Sequence, residues 1–466
     1  MTTHHALATQ AQALKGLGRR EEALAIDRQA VALFPASGVA WHNMAATLGD
    51  LGRAGEARAA CEEAFARGLD APETWSVYAR SLLALGDHDA AEAAYAEIAR
   101  RAPRGVGVAI ERANVAWMRR GVLEEALAAL DACFAAGGDP APLIGGKATL
   151  LEAAGEPVRA ADLLARAAEM LPDDLSILLG AAHSAMVVDR MSEAERFLAL
   201  AERLQPDADS VLIQAAVIHL AAGRPEVALA KVHEGLRRRP QDQALLGWAA
   251  TAARAAGDPL HAELYDFAAM VRVYDLATPP GWPSLAAYLD DLAAALDRLH
   301  LYRQHPANQS LRQGSQTLHL LTGSDDPAIM AFFAAIGAPI RDYMAKLGPG
   351  SDPLRARNNG DYRIKGAWSV RLRPHGFHRD HFHAQGWLSS AFYVRTPDAA
   401  LDRGGREGWI RFGKPPFRTE PALEAEHFVR PRPGRLVLFP SYLWHGTVPF
   451  TTDEDRLTMA FDAVPA

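Results

Sequence analysis

A repeat of 34 residues runs through the N-terminal half of the chain and constrains its fold more than any other feature. Each unit carries a marker residue followed five positions later by an alanine, and successive markers are 34 or 35 residues apart. The markers are Gly18, Gly52, Gly86, Gly121, Gly155, Asp189, Gly223 and Gly257. The alanines are Ala23, Ala57, Ala91, Ala126, Ala160, Ala194, Ala228 and Ala262. Several units add a proline seventeen residues after the marker, namely Pro35, Pro103, Pro172, Pro206 and Pro240. This period predicts about eight copies of one supersecondary unit.

Glycine, alanine and proline at these positions indicate a pair of antiparallel helices. Glycine tolerates the positive φ of a tight turn between the helices, alanine lets them approach closely, and proline ends the second helix. A two-helix unit of this size cannot bury its apolar face alone, so neighbouring units stack. The pattern resembles the tetratricopeptide repeat (TPR) family. It implies an α-solenoid, predicted over residues 1–278, with a concave groove that binds a peptide or protein segment.

The repeat ends at a proline cluster, and the pattern of polar and apolar residues then changes. Pro279, Pro280 and Pro283 predict a boundary, and residues 279–300 predict a linker and a connecting helix. A further helix is predicted over 325–348, and the polar segment 307–317 before it predicts an irregular loop. From Tyr362 onward, short alternating segments separated by turn residues are typical of an antiparallel sandwich or barrel. The predicted fold class is therefore multidomain α + β.

Composition and charge restrict the kind of partner. The formal net charge is −7, with −10 over residues 1–282 and +3 over the remainder. An acidic repeat array disfavours nucleic acid. No run approaches the ~18 uncharged apolar residues of a membrane helix, and the N-terminus lacks the hydrophobic segment of a signal peptide. Two cysteines, Cys61 and Cys133, cannot form a disulfide framework and indicate a reducing compartment. We therefore expect a cytoplasmic protein with neither membrane nor nucleic-acid partners.

The segment GFHRDHFHAQG contains three histidines and an aspartate within six residues. Buried imidazoles need hydrogen-bond partners, so such a cluster favours a metal site over a packed core. Residues two apart in an extended chain project together. This gives two candidate pairs, His381 with His383 and His378 with Asp380. The third ligand is expected from elsewhere, and His445 in FPSYLWHGTVPF is the candidate. A site of two histidines completed by water is the remaining alternative.

The last predicted strand, RLTMAFDAV, alternates between polar and apolar residues. Arg456 and Asp462 lie on one face, and Leu457, Met459 and Phe461 lie on the other. A hairpin with the strand of His445 would bring Arg456 to the metal side of the sheet. A guanidinium there can hold a carboxylate bidentately. Tyr393 can donate a hydrogen bond to the same carboxylate or can simply pack in the sheet.

The order of these motifs, a histidine pair, a strand, a distant histidine and then an arginine, resembles the non-haem iron(II), 2-oxoglutarate-dependent oxygenases. Residues 301–466 are similar to the oxygenase domains that follow TPR arrays in bacteria. In that family a His-x-His motif precedes the SSAFYV-like strand, which favours the pair His381 and His383.

The resemblance implies a double-stranded β-helix (jelly-roll) with flanking helices over 301–466. Fe(II) would be bound by His381, His383 and His445, and 2-oxoglutarate by Arg456 and Tyr393, with O2 as the oxidant. The implied activity is a dioxygenase that hydroxylates a peptide or protein recruited by the TPR array. The alternative function is a non-catalytic TPR adaptor whose jelly-roll has degenerated.

Overall fold

The computed structural model describes residues 3–318 and 321–466. The chain forms two compact units. The first comprises the chain up to Ala116, Glu124–Leu143 and the described part of Leu318–Ser324. The second comprises Trp117–Leu123, Ile144–Thr317 and Asp325–Ala466. The second unit therefore contains both the later helical repeats and the β-rich C-terminal region.

Each predicted repeat contains two helices. The pairs are α1 (His4–Gly16) and α2 (Arg20–Leu33), α3 (Gly38–Asp50) and α4 (Ala54–Ala66), α5 (Pro72–Ala84) and α6 (His88–Arg101), α7 (Val106–Arg120) and α8 (Leu123–Ala135), α9 (Pro140–Ala153) and α10 (Pro157–Met170), α11 (Leu175–Val187) and α12 (Met191–Leu204), α13 (Asp209–Ala221) and α14 (Pro225–Arg238), and α15 (Gln243–Ala256) and α16 (Leu260–Leu264). The helical-repeat prediction for the N-terminal region is confirmed.

The marker residues occupy the turns between the two helices of each pair. All seven glycine markers have φ between 70° and 85°, and Asp189, which replaces glycine in the sixth repeat, has φ of 60°. The left-handed region is open to glycine and is tolerated by aspartate better than by most residues. Seven of the eight alanines are 0% exposed, since the paired helices leave no room for a larger side chain.

The eighth repeat is shorter than its period predicts. Its second helix, α16, has only five residues, and Ala262 is exposed. The helix ends because Tyr265 turns inward, where it is buried and its hydroxyl donates to the backbone oxygen of Tyr442 at 3.3 Å. A short helix α17 (Phe267–Met270) follows and leads into a strand, β1 (Arg272–Asp275). Residues that the period places inside the array thus belong to the sheet.

The C-terminal region contains two antiparallel sheets. Its strands are β2 (Leu311–Gln316), β3 (Tyr362–His378), β4 (Leu388–Arg395), β5 (Ile410–Phe412), β6 (His427–Val429), β7 (Arg435–Pro440), β8 (His445–Thr447) and β9 (Arg456–Pro465). The larger sheet has the order β1-β7-β4-β9-β3-β2, and the smaller sheet has the order β6-β5-β8. Three helices accompany the sheets, α18 (Leu285–Asp297), α19 (Pro327–Leu347) and α20 (Asp398–Leu401). The fold is a set of helical repeats followed by antiparallel sheets.

One predicted loop is in fact a strand. The polar segment 307–317 contains β2, which pairs with β3 at the edge of the larger sheet. Its polar side chains are satisfied inside the fold, since the buried Ser315 lies 2.9 Å from the imidazole Nδ1 of His300. The expectation of irregular structure was wrong because composition alone does not reveal such partners.

Helix α19 forms the core beneath the larger sheet. Phe332, Ile336, Ile340 and Tyr343 on one of its faces are all buried. The ring of Phe332 packs against Phe392 of β4 at 4.9 Å and against Phe461 of β9 at 6.2 Å. By length and composition this helix is apolar enough to cross a membrane, and no other described helix is. Its packing against the sheet is that of a core helix, and it leaves the opposite face of β9 to line a site.

Candidate metal centre

Three histidines from two chain segments come together between the sheets. His381, His383 and His445 each offer a ligand atom, and these atoms all lie within 4.8 Å of one another. The segment after β3 is held to β8 by two backbone hydrogen bonds of 2.9 Å between His381 and His445. The His383 amide donates to the Ser441 carbonyl at 2.8 Å. These backbone hydrogen bonds therefore fix the main-chain positions of all three histidines, and the side chains of His381 and His383 point to the same side.

The Nδ1 atoms of these imidazoles are already engaged. His381 Nδ1 lies 2.9 Å from the Arg379 carbonyl, and His445 Nδ1 lies 3.0 Å from the Leu443 carbonyl. A carbonyl oxygen can only accept, so each Nδ1 carries a proton and each Nε2 keeps its lone pair. His383 Nδ1 bonds a carboxylate oxygen of Asp462 at 2.6 Å, which has the same effect. Three Nε2 atoms are thus left as metal donors.

Burial favours the neutral imidazoles that bind metals. It lowers the pKa of His381 to about 3 and lowers the pKa of His445 well below its usual range. Burial also acts to lower the pKa of His383, but the Asp462 carboxylate outweighs it, so the pKa of His383 is raised. The carboxylate therefore makes the imidazole of His383 more basic, whereas burial makes those of His381 and His445 less basic.

Asp462 belongs to a hydrogen-bonded network that orients His383. The Ser389 hydroxyl donates to the same Asp462 oxygen at 2.7 Å and lies 2.9 Å from the Ser441 hydroxyl. Ser389 and Asp462 are opposite one another in the pairing of β4 with β9. Sequence reasoning placed Asp462 on the same face as Arg456 but gave it no role. The alternation of the strand predicted which way Asp462 faces, but nothing in the sequence indicated that His383 is its partner.

Replacing Asp462 by asparagine should weaken metal binding while the fold is kept. The amide is nearly isosteric, but it cannot supply the charge that raises the basicity of His383. Changes to such partners of metal ligands cost about 10- to 100-fold in affinity. Titration with Co(II), followed by the absorption of the bound ion, measures the effect without reference to activity. The matched variant Asp402→Asn alters an exposed carboxylate elsewhere and should bind metal as the wild type does. Equal affinity of Asp462→Asn and the wild type would contradict the role.

The competing pair occupies different surroundings. Both carboxylate oxygens of Asp380 accept from Arg411, at 2.9 and 2.6 Å, and this aspartate is 6% exposed. His378 Nδ1 lies 3.0 Å from the Ser310 hydroxyl, which also lies 3.3 Å from His381 Nε2. Asp380 is therefore committed to an ion pair, whereas His378 and Ser310 border the histidine cluster. Neither Ser310 nor Arg411 stands out in the sequence.

Arg456 and Tyr393 lie together in the interior. Arg456 is 3% exposed, its Nη1 donates to the Thr447 hydroxyl at 2.7 Å, and its guanidinium lies 5.0 Å from the centre of the Tyr393 ring. The Arg456 Nε and the Tyr393 hydroxyl lack a well-oriented hydrogen-bond partner within residues 3–318 and 321–466, although the two groups interact with each other. Two buried donors that are only weakly paired are costly, which indicates a place for an acceptor that is not part of the chain.

Arg456 does not lie in the hairpin with the strand of His445 that the sequence predicted. His445 lies on β8 of the smaller sheet, whereas Arg456 lies on β9 between β4 and β3 of the larger sheet. Arg456 is joined to the smaller sheet through Thr447, two positions after His445, which accepts its hydrogen bond. This link connects two sheets and does not come from one hairpin.

These features can be compared with known proteins. Residues 366–462 match the family described as "Putative 2OG-Fe(II) oxygenase". The matched segment contains all three histidines of the cluster together with Tyr393, Arg456 and Asp462. No curated protein matches the chain.

Solved structures similar to the chain include two that are described as TPR proteins. One is a tetratricopeptide repeat protein from Parabacteroides merdae, at 14% identity and a TM-score of 0.35, covering 50% of this chain and 91% of that one. Another is the C-terminal part of a TPR repeat-containing protein from Cytophaga hutchinsonii, at 14% identity and a TM-score of 0.37, covering 52% and 98%. A third is the APC/C hetero-tetramer Cut9–Hcn1, at 17% identity and a TM-score of 0.33, covering 53% and 48%.

Proposed function

We propose that residues 301–466 form a non-haem Fe(II)- and 2-oxoglutarate-dependent oxygenase with a double-stranded β-helix core. The observation that carries the proposal is the convergence of His381, His383 and His445, together with a buried guanidinium that has an unsatisfied donor. The match of residues 366–462 to the 2OG-Fe(II) oxygenase family supports the same chemistry. The two antiparallel sheets are compatible with the proposed core.

The histidine cluster suits Fe(II) as a facial set of donors. Imidazole is a good ligand for iron, and three ligands on one side leave positions open on the other. Oxygenases of this kind usually have two histidines and one carboxylate. Here the third donor is a histidine, and Asp462 supplies negative charge through its hydrogen bond to His383. We assign His381, His383 and His445 as the ligands.

The buried donors suit 2-oxoglutarate, a small diacid. Arg456 Nε and the Tyr393 hydroxyl would both donate to its distal carboxylate, which would satisfy two orphaned groups at once. Burial raises the pKa of Tyr393, so the hydroxyl stays protonated and able to donate. Thr447 fixes the guanidinium by accepting from Nη1 and leaves its other edge available.

When bound, Fe(II) and 2-oxoglutarate with O2 would supply the hydroxylation of a substrate C–H bond, with succinate and CO2 as the other products. The chain's own residues would hold these groups and orient the metal ligands. The carbonyls of Arg379 and Leu443 hold two imidazoles in the donor tautomer, and Asp462 holds the third. Burial of His445 and Arg456 keeps bulk water from the centre.

We propose a peptide or protein as the substrate, recruited by the helical repeats in the cytoplasm. The repeats support this because arrays of this type present extended binding surfaces. The alternative is a non-catalytic adaptor, in which the histidine cluster would support no oxidation.

Anaerobic titration of the full-length chain with Fe(II) and 2-oxoglutarate tests the proposal. Chelation of the iron by 2-oxoglutarate should produce a metal-to-ligand charge-transfer band in the visible region that neither component gives alone. Addition of O2 should then yield succinate. A protein that binds Fe(II) but develops no band would favour the adaptor.

A further inference from the structure

A cleft is lined by residues that directly precede His381 in the chain. Its volume is about 440 Å³, and its walls are the end of β3 and the loop that joins β5 to β6. Phe377, Arg379 and Asp380 form the first wall, and residues 414–424 form most of the second. Because Arg379 and Asp380 lie between His378 and His381 in the chain, the cleft borders the residues that flank the proposed ligands.

The charges that line the cleft do not cancel. Arg411 pairs with Asp380 at 2.6 Å, and Lys414 pairs with the exposed Glu424 at 2.7 Å. Arg379 and Arg418 are both exposed, and neither side chain makes a hydrogen bond or ion pair with any residue within 3–318 and 321–466. Two guanidinium groups are therefore left without partners in a chain whose formal net charge is −7.

The charged groups that surround the cleft do not neutralise this excess positive charge. Arg312 lies near Arg379, and burial together with that neighbour lowers the pKa of Arg312 to about 10, so it remains charged at neutral pH. Glu152 of α9 opposes this shift and is the acidic group nearby, but it already accepts from the Ser184 hydroxyl at 3.0 Å. His183 of α11 faces the same groups, and burial lowers its pKa. The positive charge near the cleft thus exceeds the negative charge.

The outer wall of the cleft is built on the helical repeats. Phe417 packs against Trp248 of α15 with ring centres 5.7 Å apart, and the Glu420 amide donates to the Leu220 carbonyl of α13 at 3.0 Å. Arg254 of α15 donates to the Gly413 carbonyl at 2.9 Å. The loop is therefore held in place before any ligand arrives, which reduces the ordering cost of binding.

We propose that this cleft binds an acidic segment of a peptide or protein, with Arg379 and Arg418 each receiving an aspartate or glutamate side chain. An unpaired guanidinium matches one carboxylate in a bidentate pair. Pro416 and Phe377, which are partly exposed, offer apolar surface to the peptide between its charges. Presentation of a neighbouring substrate residue to the histidine centre rests on the proposed function, whereas binding in the cleft does not.

Fluorescence anisotropy with the full-length chain tests the proposal. The probes are fluorescein-labelled peptides of one length and spacing that carry glutamate, glutamine or lysine at the same positions. The glutamate peptide should bind at least about tenfold more tightly than the other two at low ionic strength. The double variant Arg379→Glu with Arg418→Glu should weaken its binding by about tenfold or more. Arg418→Gln alone should weaken it in the same direction.

The control is Arg363→Glu, which makes the charge change of each single replacement in the double variant at an exposed position near the opposite end of β3. It should bind the glutamate peptide as the wild type does. Equal binding of the three peptides, or an unaffected double variant, would overturn the proposal. Tighter binding of a single-stranded DNA oligonucleotide than of the glutamate peptide would overturn it in favour of a nucleic-acid site.

The iron and 2-oxoglutarate band, measured on the same samples, separates the two proposals. An absent band with a retained preference for glutamate would count against the oxygenase alone. A normal band without that preference would count against the cleft alone.

Discussion

Replacing His445 by alanine is expected to abolish Fe(II) binding. This residue supplies the one donor from the distant strand in either candidate ligand set. Its Nδ1 is committed to the Leu443 carbonyl, so Nε2 is the atom that is lost. The affinity should fall by more than about 100-fold, because even partners of ligands cost 10- to 100-fold. Anaerobic Fe(II) titration, followed by the charge-transfer band with 2-oxoglutarate, measures the loss.

Two further single variants distinguish the ligand sets. His381→Ala should lose iron as His445→Ala does. Asp380→Ala should keep iron but lose thermal stability, because it leaves the Arg411 guanidinium unpaired; breaking a buried ion pair typically costs about 3–5 kcal/mol, and less where one partner is part-exposed as Arg411 is. Iron retained by His381→Ala and lost by Asp380→Ala would make the His378 and Asp380 pair the ligands instead.

Replacing Arg456 by lysine is expected to raise the 2-oxoglutarate concentration at half-saturation while leaving iron affinity near that of the wild type. Lysine keeps the charge but loses the planar fork that matches a carboxylate. Loss of one charge-assisted pair typically costs about 1.5–3 kcal/mol, which is roughly ten- to more than a hundredfold in affinity. Succinate formation as a function of 2-oxoglutarate at a fixed iron concentration measures the change.

The control for this variant is Arg363→Lys, an exposed arginine of β3. It should leave the half-saturation concentration as it is in the wild type. Because Arg456 is buried, circular dichroism and the intact iron titration check that the variant is folded. A folded Arg456→Lys protein with an unchanged requirement for 2-oxoglutarate would remove Arg456 from the cosubstrate site.

The helical repeats could be predicted almost completely from the sequence. Their signals are local, since a turn that needs positive φ selects glycine or aspartate and a close helix contact selects alanine. Asp189 shows how far this reasoning reaches, because its place in the period predicted a turn residue and its φ is 60°. The period failed at the eighth repeat, where the inward turn of Tyr265 depends on Tyr442, a residue far along the chain.

The candidate site could be predicted in part. Alternation placed Arg456 and Asp462 on one face of β9, and spacing placed His381 beside His383. Spacing could not choose between this pair and His378 with Asp380, because both pairs have the same spacing, and only the family resemblance favoured His381 and His383. The structure distinguishes their surroundings through Arg411, whose guanidinium is bonded to both oxygens of Asp380.

Local patterns in the chain specify the elements whose causes lie within a few residues: the paired helices, the alternating strands and the kinds of side chain that bind metal. Which of these side chains meet depends on the folded arrangement of the whole chain. The Asp462 carboxylate beside His383, the Ser310 hydroxyl between two imidazoles and the cleft between Arg379 and Arg418 each join segments that are distant in the chain. The physical reason is that a hydrogen bond or an ion pair depends on distance in space, whereas periodicity records only distance along the chain.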